Sequence, residues 1–177
     1  ELRICDEIVL VDGWVGSQNH NWGPRHTDHY AWGQVVGFDD RPEAFLEMAT
    51  ARVRVGPLWT PFMTLLVLRL GDEQIELNGL RRALLARARF GYFHWEFQTG
   101  AGAVRVRGSM WAPRESFVAL RYDNPPGGTK TCLNSKLAEC ELEVERPGGD
   151  NLHLHTRHRG AFEILTDDEN HGLAVLF

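Results

Sequence analysis

The sequence has 177 residues, of which 43% are hydrophobic, 10% aromatic and 24% charged, and its formal net charge is −5 at pH 7. These proportions are those of an ordinary folded domain, so they exclude a disordered chain, a collagen-like repeat and a small disulfide scaffold. The acidic balance argues against a nucleic-acid partner, because a polyanion is bound through an excess of basic side chains.

Short strands are predicted wherever apolar or aromatic side chains alternate with polar ones between turn residues. In the first half of the chain they cover Glu7–Leu10, Tyr30–Val36, Phe45–Val55, Phe62–Leu70 and Gln74–Leu77. The next segment, Leu80–Phe90, has the composition of a helix and contains no Gly or Pro. We nevertheless expect a strand there, because the segments on both sides of it are strands.

The same pattern continues in the second half of the chain, where the turn Asp123–Gly128 is the strongest break. The predicted strands are His94–Phe97, Ala103–Met110, Phe117–Tyr122, Leu137–Arg146, Leu152–His158, Gly160–Leu165 and Gly172–Phe177. We expect about nine or ten of these segments to be strands of one sheet, and short strands separated by Gly and Pro turns predict an all-β, antiparallel barrel or sandwich. With no repeat and no linker in the sequence, residues 1–177 are expected to form a single domain.

A dense polar and aromatic cluster spans residues 16–32. On an extended segment His20 and Trp22 point the same way, and a histidine beside an indole on the inner face of a barrel could serve as a general acid or base. The alternative is structural: the polar side chains of the cluster hydrogen-bond a tight loop while its tryptophans plug the end of the barrel.

Histidine spacing offers two candidate metal sites, His26-x2-His29 with His20 or Asp28, and His153-x-His155. Neither matches a specific ligand spacing, and we expect no metal. The glycines lie in hairpin turns rather than between a strand and a helix, so we expect no nucleotide cofactor and no cofactor of another kind.

Three cysteines, Cys5, Cys132 and Cys140, favour reduced thiols in a cytoplasmic protein, although Cys132 and Cys140 could close a hairpin in an oxidising compartment. The longest apolar run, Phe62–Leu68, is far shorter than the roughly 20 residues of a membrane-spanning helix, so no membrane span is expected.

Several motifs resemble the lipocalin-like superfamily of carotenoid hydratases (hydroxyneurosporene synthases) and tocopherol cyclases. The resemblance touches about the first 36 residues and Val104–Val144. It is carried by Asp12-Gly13-Trp14-x-Gly16, His20-Asn21-Trp22-Gly23, His26 and Tyr30-x-Trp32, and more weakly by Tyr122-Asp123-Asn124-Pro125, Gly127-Gly128 and Cys132-x-Asn134-Ser135.

The resemblance implies a lipocalin-like β-barrel that forms the C-terminal half of a longer two-barrel protein, with an N-terminal barrel as its partner. In this sequence His20 and Trp22 match the H-x-W pair that lines the family's pocket. The family's catalytic Asp has no counterpart. Asn19 stands where some relatives have an Asp before the His, and Asp28 is the nearest acid.

We therefore expect the barrel to bind a small hydrophobic molecule, isoprenoid-like or polyketide-like, and to catalyse its cofactor-independent hydration, isomerisation or cyclisation. His20 and Asp28 are the expected acid–base residues, and the expected substrate-binding residues are Asn19, Trp22, Tyr30 and Trp32. The alternative is a non-catalytic barrel that only binds a hydrophobic ligand or packs against a partner domain.

Overall fold

The computed structural model describes residues 1–14, 17–19, 23, 26–149 and 151–176, and this part of the chain is mostly β-strand. It contains fifteen strands and one α-helix, together with a 3₁₀ turn at Arg114–Ser116. In chain order the elements are β1 (Leu2–Ile4), β2 (Glu7–Val9), β3 (His29–Val36), β4 (Phe45–Arg52), β5 (Arg54–Val55), β6 (Leu58–Trp59), β7 (Met63–Leu70), β8 (Glu73–Leu77), α1 (Leu80–Leu85), β9 (Arg87–Gly91), β10 (His94–Ala101), β11 (Val104–Trp111), β12 (Val118–Asp123), β13 (Thr129–Glu145), β14 (Leu152–Thr166) and β15 (Val175–Leu176).

Eleven of the strands form one sheet, which is antiparallel apart from the short pairing of β12 with β15. Its main path runs β8-β7-β4-β3-β14-β13-β11-β10-β9, while β12 pairs with β13 and β15 pairs with β12. Two small hairpins, β1-β2 and β5-β6, stand apart from this sheet. The prediction of an antiparallel all-β fold is therefore confirmed, but the predicted number of nine or ten strands is lower than the fifteen observed.

The long strands β13 and β14 divide the sheet into two halves. The beginning of β13 pairs with β12, and its end pairs with β11. The ladder between β13 and β14 shifts register between Ser135 and Cys140, where Ala138 lies opposite Gly160. A Cβ atom on Gly160 would lie 2.7 Å from the carbonyl oxygen of Ala138, so the two backbones approach each other closely at this bulge.

The hydrophobic core lies between these halves. Trp95, Met110 and Phe162 are fully buried there. A Cβ atom on Gly33 of β3 would lie 2.7 Å from the sulfur of Met110 and 3.1 Å from the ring of Trp95. Side chains therefore fill the space beside Gly33, and the two halves of the sheet pack directly on each other.

The main path of the sheet stays open among the described residues, because it ends at β8 and β9 with no hydrogen-bonded pairing between them. α1 joins these two edge strands. The strand predicted over Leu80–Phe90 is thus wrong for its first half. Leu, Arg and Ala favour a helix, and the helix buries Ala83 while leaving its leucines exposed.

One further boundary differs from the prediction. The segment Phe45–Val55 ends its long strand at Arg52 and turns into the small hairpin β5-β6.

Cys132 and Cys140 both lie on β13 and are both free thiols. Eight residues of extended chain separate their Cα atoms by about 26 Å, which is far beyond the reach of a disulfide, so they do not close a hairpin.

Within the described ranges, the structure contains no helix with the length and apolar character that a membrane crossing requires.

Candidate functional site

A pocket of about 840 Å³ lies on the face of β3 that is turned away from the hydrophobic core. Alternation along β3 sends Ala31 and Gly33 into the core, whereas Tyr30 and Trp32 point to the opposite, outer face. The described residues of segment 17–27 cover this face. Among the residues that line this outer pocket are Asn19, His26, Tyr30, Trp32, Tyr122 and Glu163.

The carboxylate of Glu163 in β14 is held in a fixed position. Its Oε1 accepts hydrogen bonds from Asn134 Nδ2 at 2.6 Å and from Lys136 Nζ at 3.0 Å. Its Oε2 lies 3.9 Å from the sulfur of Cys132. The Glu163 side chain is 18% exposed, so it sits within the protein surface but remains reachable from the pocket.

Trp32 is positioned by two charged neighbours. Its Nε1–H donates to Glu47 Oε1 at 3.3 Å, and the ammonium group of Lys136 lies 5.6 Å from the centre of its ring. Lys136 therefore contacts both the indole and the carboxylate of Glu163, which ties the apolar and the charged parts of the pocket together.

Two tyrosines beside Glu163 keep their protons at neutral pH. Burial is the main cause that raises the pKa of Tyr30, and the neighbouring Cys132 and Glu163 raise it further. Burial also raises the pKa of Tyr122, followed by the effect of Cys132. The thiol of Cys132 has its pKa raised to about 12, first by burial and then by Glu163. The pocket thus combines a carboxylate with neutral phenols and an inert thiol.

The cover of the pocket is fastened at two points. Ser17 Oγ donates a hydrogen bond to Gln34 Oε1. The backbone N–H of His26 donates to Asn124 Oδ1 at 3.0 Å, and the rings of His26 and Tyr122 lie 5.5 Å apart. Asn124 belongs to the turn between β12 and β13, so the strongest predicted turn of the chain holds the cover in place.

Asp28 has a structural position next to the pocket. Its carboxylate accepts the backbone N–H of Arg54 at 2.7 Å, and its carbonyl oxygen accepts a hydrogen bond from Lys130. Lys130 also pairs with Asp167 at 2.7 Å. Asp28 therefore connects β3 to the hairpin β5-β6 and to β13, and it is not among the residues that line the pocket.

Of the six residues expected from the sequence, the structure brings Asn19, Tyr30 and Trp32 together in the outer pocket. His20 and Trp22 lie outside the described residues. The pocket described here lies on the outer face of β3, whereas side chains fill the space beside Gly33 on the core side. A ligand cavity inside a barrel stays a prediction.

Glu163 and Tyr122 are pocket residues that sequence reasoning missed. Glu163 is the only acid in the predicted strand Gly160–Leu165, where it looks like an ordinary solvent-facing residue of an alternating strand. A carboxylate flanked by Phe162 and Ile164 was the available signal, but its partners lie on distant strands that the sequence alone does not bring together.

The pair His26 and His29, considered as metal ligands, is separated by the sheet. His26 packs on Tyr122 at the outer face, whereas His29 packs on Phe62 and Phe90. For the part of the chain that the structure describes, the outer pocket contains no cluster of three residues with the spacing of a metal site.

No family model and no solved structure match this chain. It is similar to two proteins of Mycobacterium tuberculosis, one from strain CDC 1551 / Oshkosh and one from strain ATCC 25618 / H37Rv, each named as an uncharacterized protein. The identity to each is 24% over 149 residues, which cover 81% of this chain and 43% of the relative. The chain thus spans less than half the length of the curated relatives it matches.

Proposed function

We propose that this protein binds a small, largely apolar molecule in the outer pocket and transfers a proton to or from it without a cofactor. The observation that carries the proposal is the carboxylate of Glu163, fixed by Asn134 and Lys136 beside an indole and two neutral phenols. A held carboxylate next to neutral hydroxyl donors supplies both partners of acid–base chemistry.

In such a reaction Glu163 accepts a proton from a carbon atom next to a carbonyl group or a double bond. Tyr30 or Tyr122 donates a hydrogen bond to the oxygen, or to the carbon, at which negative charge develops. Returning the proton to another carbon gives an isomerisation. The face of Trp32 packs against the apolar part of the substrate and excludes water from it.

The resemblance to carotenoid hydratases and tocopherol cyclases supports an isoprenoid-like or polyketide-like ligand. The lipocalin-like barrel belongs to the same proposal. It is supported by α1, which joins the two edge strands of the sheet, and by β8, which lies beside β10. The resemblance alone proposes His20 as an acid–base residue and Trp22 as a substrate-binding residue.

A non-catalytic binding module is the second candidate, and the bonds of Glu163 favour it. Both donors, Asn134 and Lys136, converge on Oε1 and link β13 to β14. A carboxylate in this arrangement also serves to fasten two strands, with the ligand held only by the aromatic rings.

The two candidates are separated by geranylacetone, an isoprenoid ketone whose α-carbon protons exchange with D₂O. We expect the protein to bind it, as followed by quenching of tryptophan fluorescence, and to accelerate deuterium uptake as followed by mass spectrometry. Glu163→Gln should keep the affinity within about 3-fold and lower the rate of exchange by about 100-fold or more, because general-base catalysis contributes that much.

The matched control is Glu43→Gln, whose side chain is half exposed and pairs with Arg41 away from the pocket. It should accelerate deuterium uptake by geranylacetone to the same rate as the unchanged protein. If both Glu163→Gln and the unchanged protein bind geranylacetone and give the same rate of deuterium exchange, the protein is a non-catalytic binding module. A complete lack of binding would overturn both candidates.

A further inference from the structure

A second cluster of chemically active side chains lies on the outer face of β13 and β14, toward the ends of these strands that are remote from Glu163 and Asn134. Alternation sends Cys140 and Leu142 into the core and leaves Glu139 and Glu141 on the outside. His155 of β14 lies directly opposite Glu141 in the ladder.

The ligand atoms of these three residues converge. One carboxylate oxygen each from Glu139 and Glu141 and one ring nitrogen of His155 all lie within 4.8 Å of one another. The distance between Glu139 Oε1 and His155 Nε2 is 3.0 Å. Two ligands of one ion at about 2.0–2.2 Å from its centre lie about 3–3.5 Å apart, so small side-chain rotations bring the set to coordination distance.

Among the described residues the carboxylates of the cluster lack a directly paired Lys or Arg, although Arg87, Arg89 and Arg107 line the groove that Glu141 and His155 share. Further along the same face, Glu143 pairs with Arg107 at 2.6 Å. Within the described ranges, by contrast, no Lys or Arg forms an ion pair with Glu139 or Glu141. A third carboxylate, that of Asp39, lies 3.8 Å from the other ring nitrogen of His155. Three carboxylates thus surround one imidazole, and this excess of negative charge attracts a cation.

We propose that Glu139, Glu141 and His155 bind one divalent transition-metal ion, with zinc as the fitting example. Two carboxylates and one neutral imidazole neutralise the charge of the ion and supply the oxygen and nitrogen donors that zinc accepts. Asp39 Oδ2 lies 3.8 Å from the second ring nitrogen, too far for a hydrogen bond, so Asp39 contributes negative charge near the site rather than a fixed orientation of the ring.

The surroundings leave room for the remaining ligands. Glu141 and His155 line a groove of about 830 Å³ that continues along β10 and β11. Water in this groove can complete the coordination of an ion that the protein holds with three ligands. None of the three ligands lines the outer pocket, so this inference does not depend on the proposed proton transfer.

The test is zinc binding to the chain without an affinity tag, after removal of metal with a chelator, measured by titration calorimetry. We expect one zinc ion per chain. His155→Gln and Glu141→Gln should each weaken binding by about 10- to 100-fold or more, which is the effect of disturbing even the outer shell of a metal site. His153→Gln is the matched control, because His153 lines the same groove from the same strand outside the cluster, and it should bind zinc like the unchanged protein.

Thermal unfolding supplies the second measurement. An ion that binds only the folded state raises the unfolding temperature, so zinc should raise it for the unchanged protein and for His153→Gln but not for His155→Gln. Without zinc all three proteins should unfold at similar temperatures, because these side chains are partly exposed. If His155→Gln is itself destabilised without zinc, Glu139→Gln is used in its place as the variant that lacks one ligand. Equal zinc affinity of His155→Gln and the unchanged protein would overturn the proposal, as would the absence of stoichiometric binding.

Discussion

His29 is a histidine enclosed by aromatic rings at the beginning of β3. Its ring centre lies 4.9 Å from that of Phe90 and 5.8 Å from that of Phe62. Arg52 lies opposite His29 in the ladder with β4. Burial among these rings lowers the pKa of His29 below its ordinary value of 6.5, and the positive charge of Arg52 lowers it further.

This environment predicts a loss of stability in mild acid. The unfolded chain takes up a proton at His29 near pH 6.5, whereas the folded protein resists protonation until lower pH. The contribution of His29 is therefore complete above about pH 6.5 and is lost as the pH falls toward the lower folded-state value. We expect the unfolding temperature of His29→Gln to fall less between pH 7.5 and pH 5.5 than that of the unchanged protein.

The exposed residue His158 provides the control. His158→Gln should show the same pH dependence as the unchanged protein in calorimetric unfolding. Identical pH dependence in His29→Gln and the unchanged protein would contradict the assigned role of His29.

Single residues of the pocket were predictable where the signal is local. Tyr30 and Trp32 share one parity of an aromatic strand, and that spacing alone places them on one face. Glu163 was not predictable, because its function depends on Asn134 and Lys136 from the neighbouring strand. The same holds for His155: the spacing His153-x-His155 offered a candidate metal site, but the partners Glu139 and Glu141 come from another strand and could not be predicted.

At the scale of elements, β4 and β7 are joined in the core by a pair of hydroxyl groups. Thr50 and Thr64 lie opposite each other in the ladder, both essentially fully buried, and their Oγ1 atoms are 2.8 Å apart. Each hydroxyl satisfies the other, and removing one of them leaves a buried polar group without this partner.

Valine substitutions should reveal this dependence. Thr50→Val alone should lower the free energy of unfolding by about 1–3 kcal/mol, because the hydroxyl of Thr64 loses its partner in the core. The double variant Thr50→Val with Thr64→Val should recover most of that loss, since both polar groups are then absent. Urea unfolding measures the four proteins of this cycle, and simple additivity of the two single losses would show that the hydroxyls do not act as a pair.

Strand boundaries were predictable where the sequence contains a clear turn. The prediction failed where pairing with a distant strand determines whether a strand continues. The turn Asp123–Gly128 was placed correctly between two strands. The segments Leu152–His158 and Gly160–Leu165 were expected to be two paired strands, but they form the single strand β14. A glycine at residue 160 resembles a turn signal, whereas in the structure it permits the close approach of β14 to Ala138.

At the scale of the whole molecule, β13 and β14 carry both proposed sites at their opposite ends. Glu163 and Asn134 belong to the outer pocket, whereas Glu141 and His155 belong to the metal cluster. Eight residues of β14 separate Glu163 from His155, which corresponds to about 26 Å of regular strand. The N-terminal partner barrel stays a prediction of the resemblance, and the chain covers 43% of the length of its mycobacterial relatives.

The register shift between β13 and β14 should also give different parts of β14 different rates of amide hydrogen exchange. Residues Arg157–Arg159 are exposed and have no ladder partner on β13, whereas the flanking parts of β14 are paired. Amide protons of His158 and Arg159 should therefore exchange with deuterium at least 10-fold faster than those of Leu154 and Ile164, as resolved by NMR. The pair β13 and β14 would then consist of two slowly exchanging segments joined by a short segment that opens independently. Uniform protection along β14 would show instead that the two strands separate only as one unit.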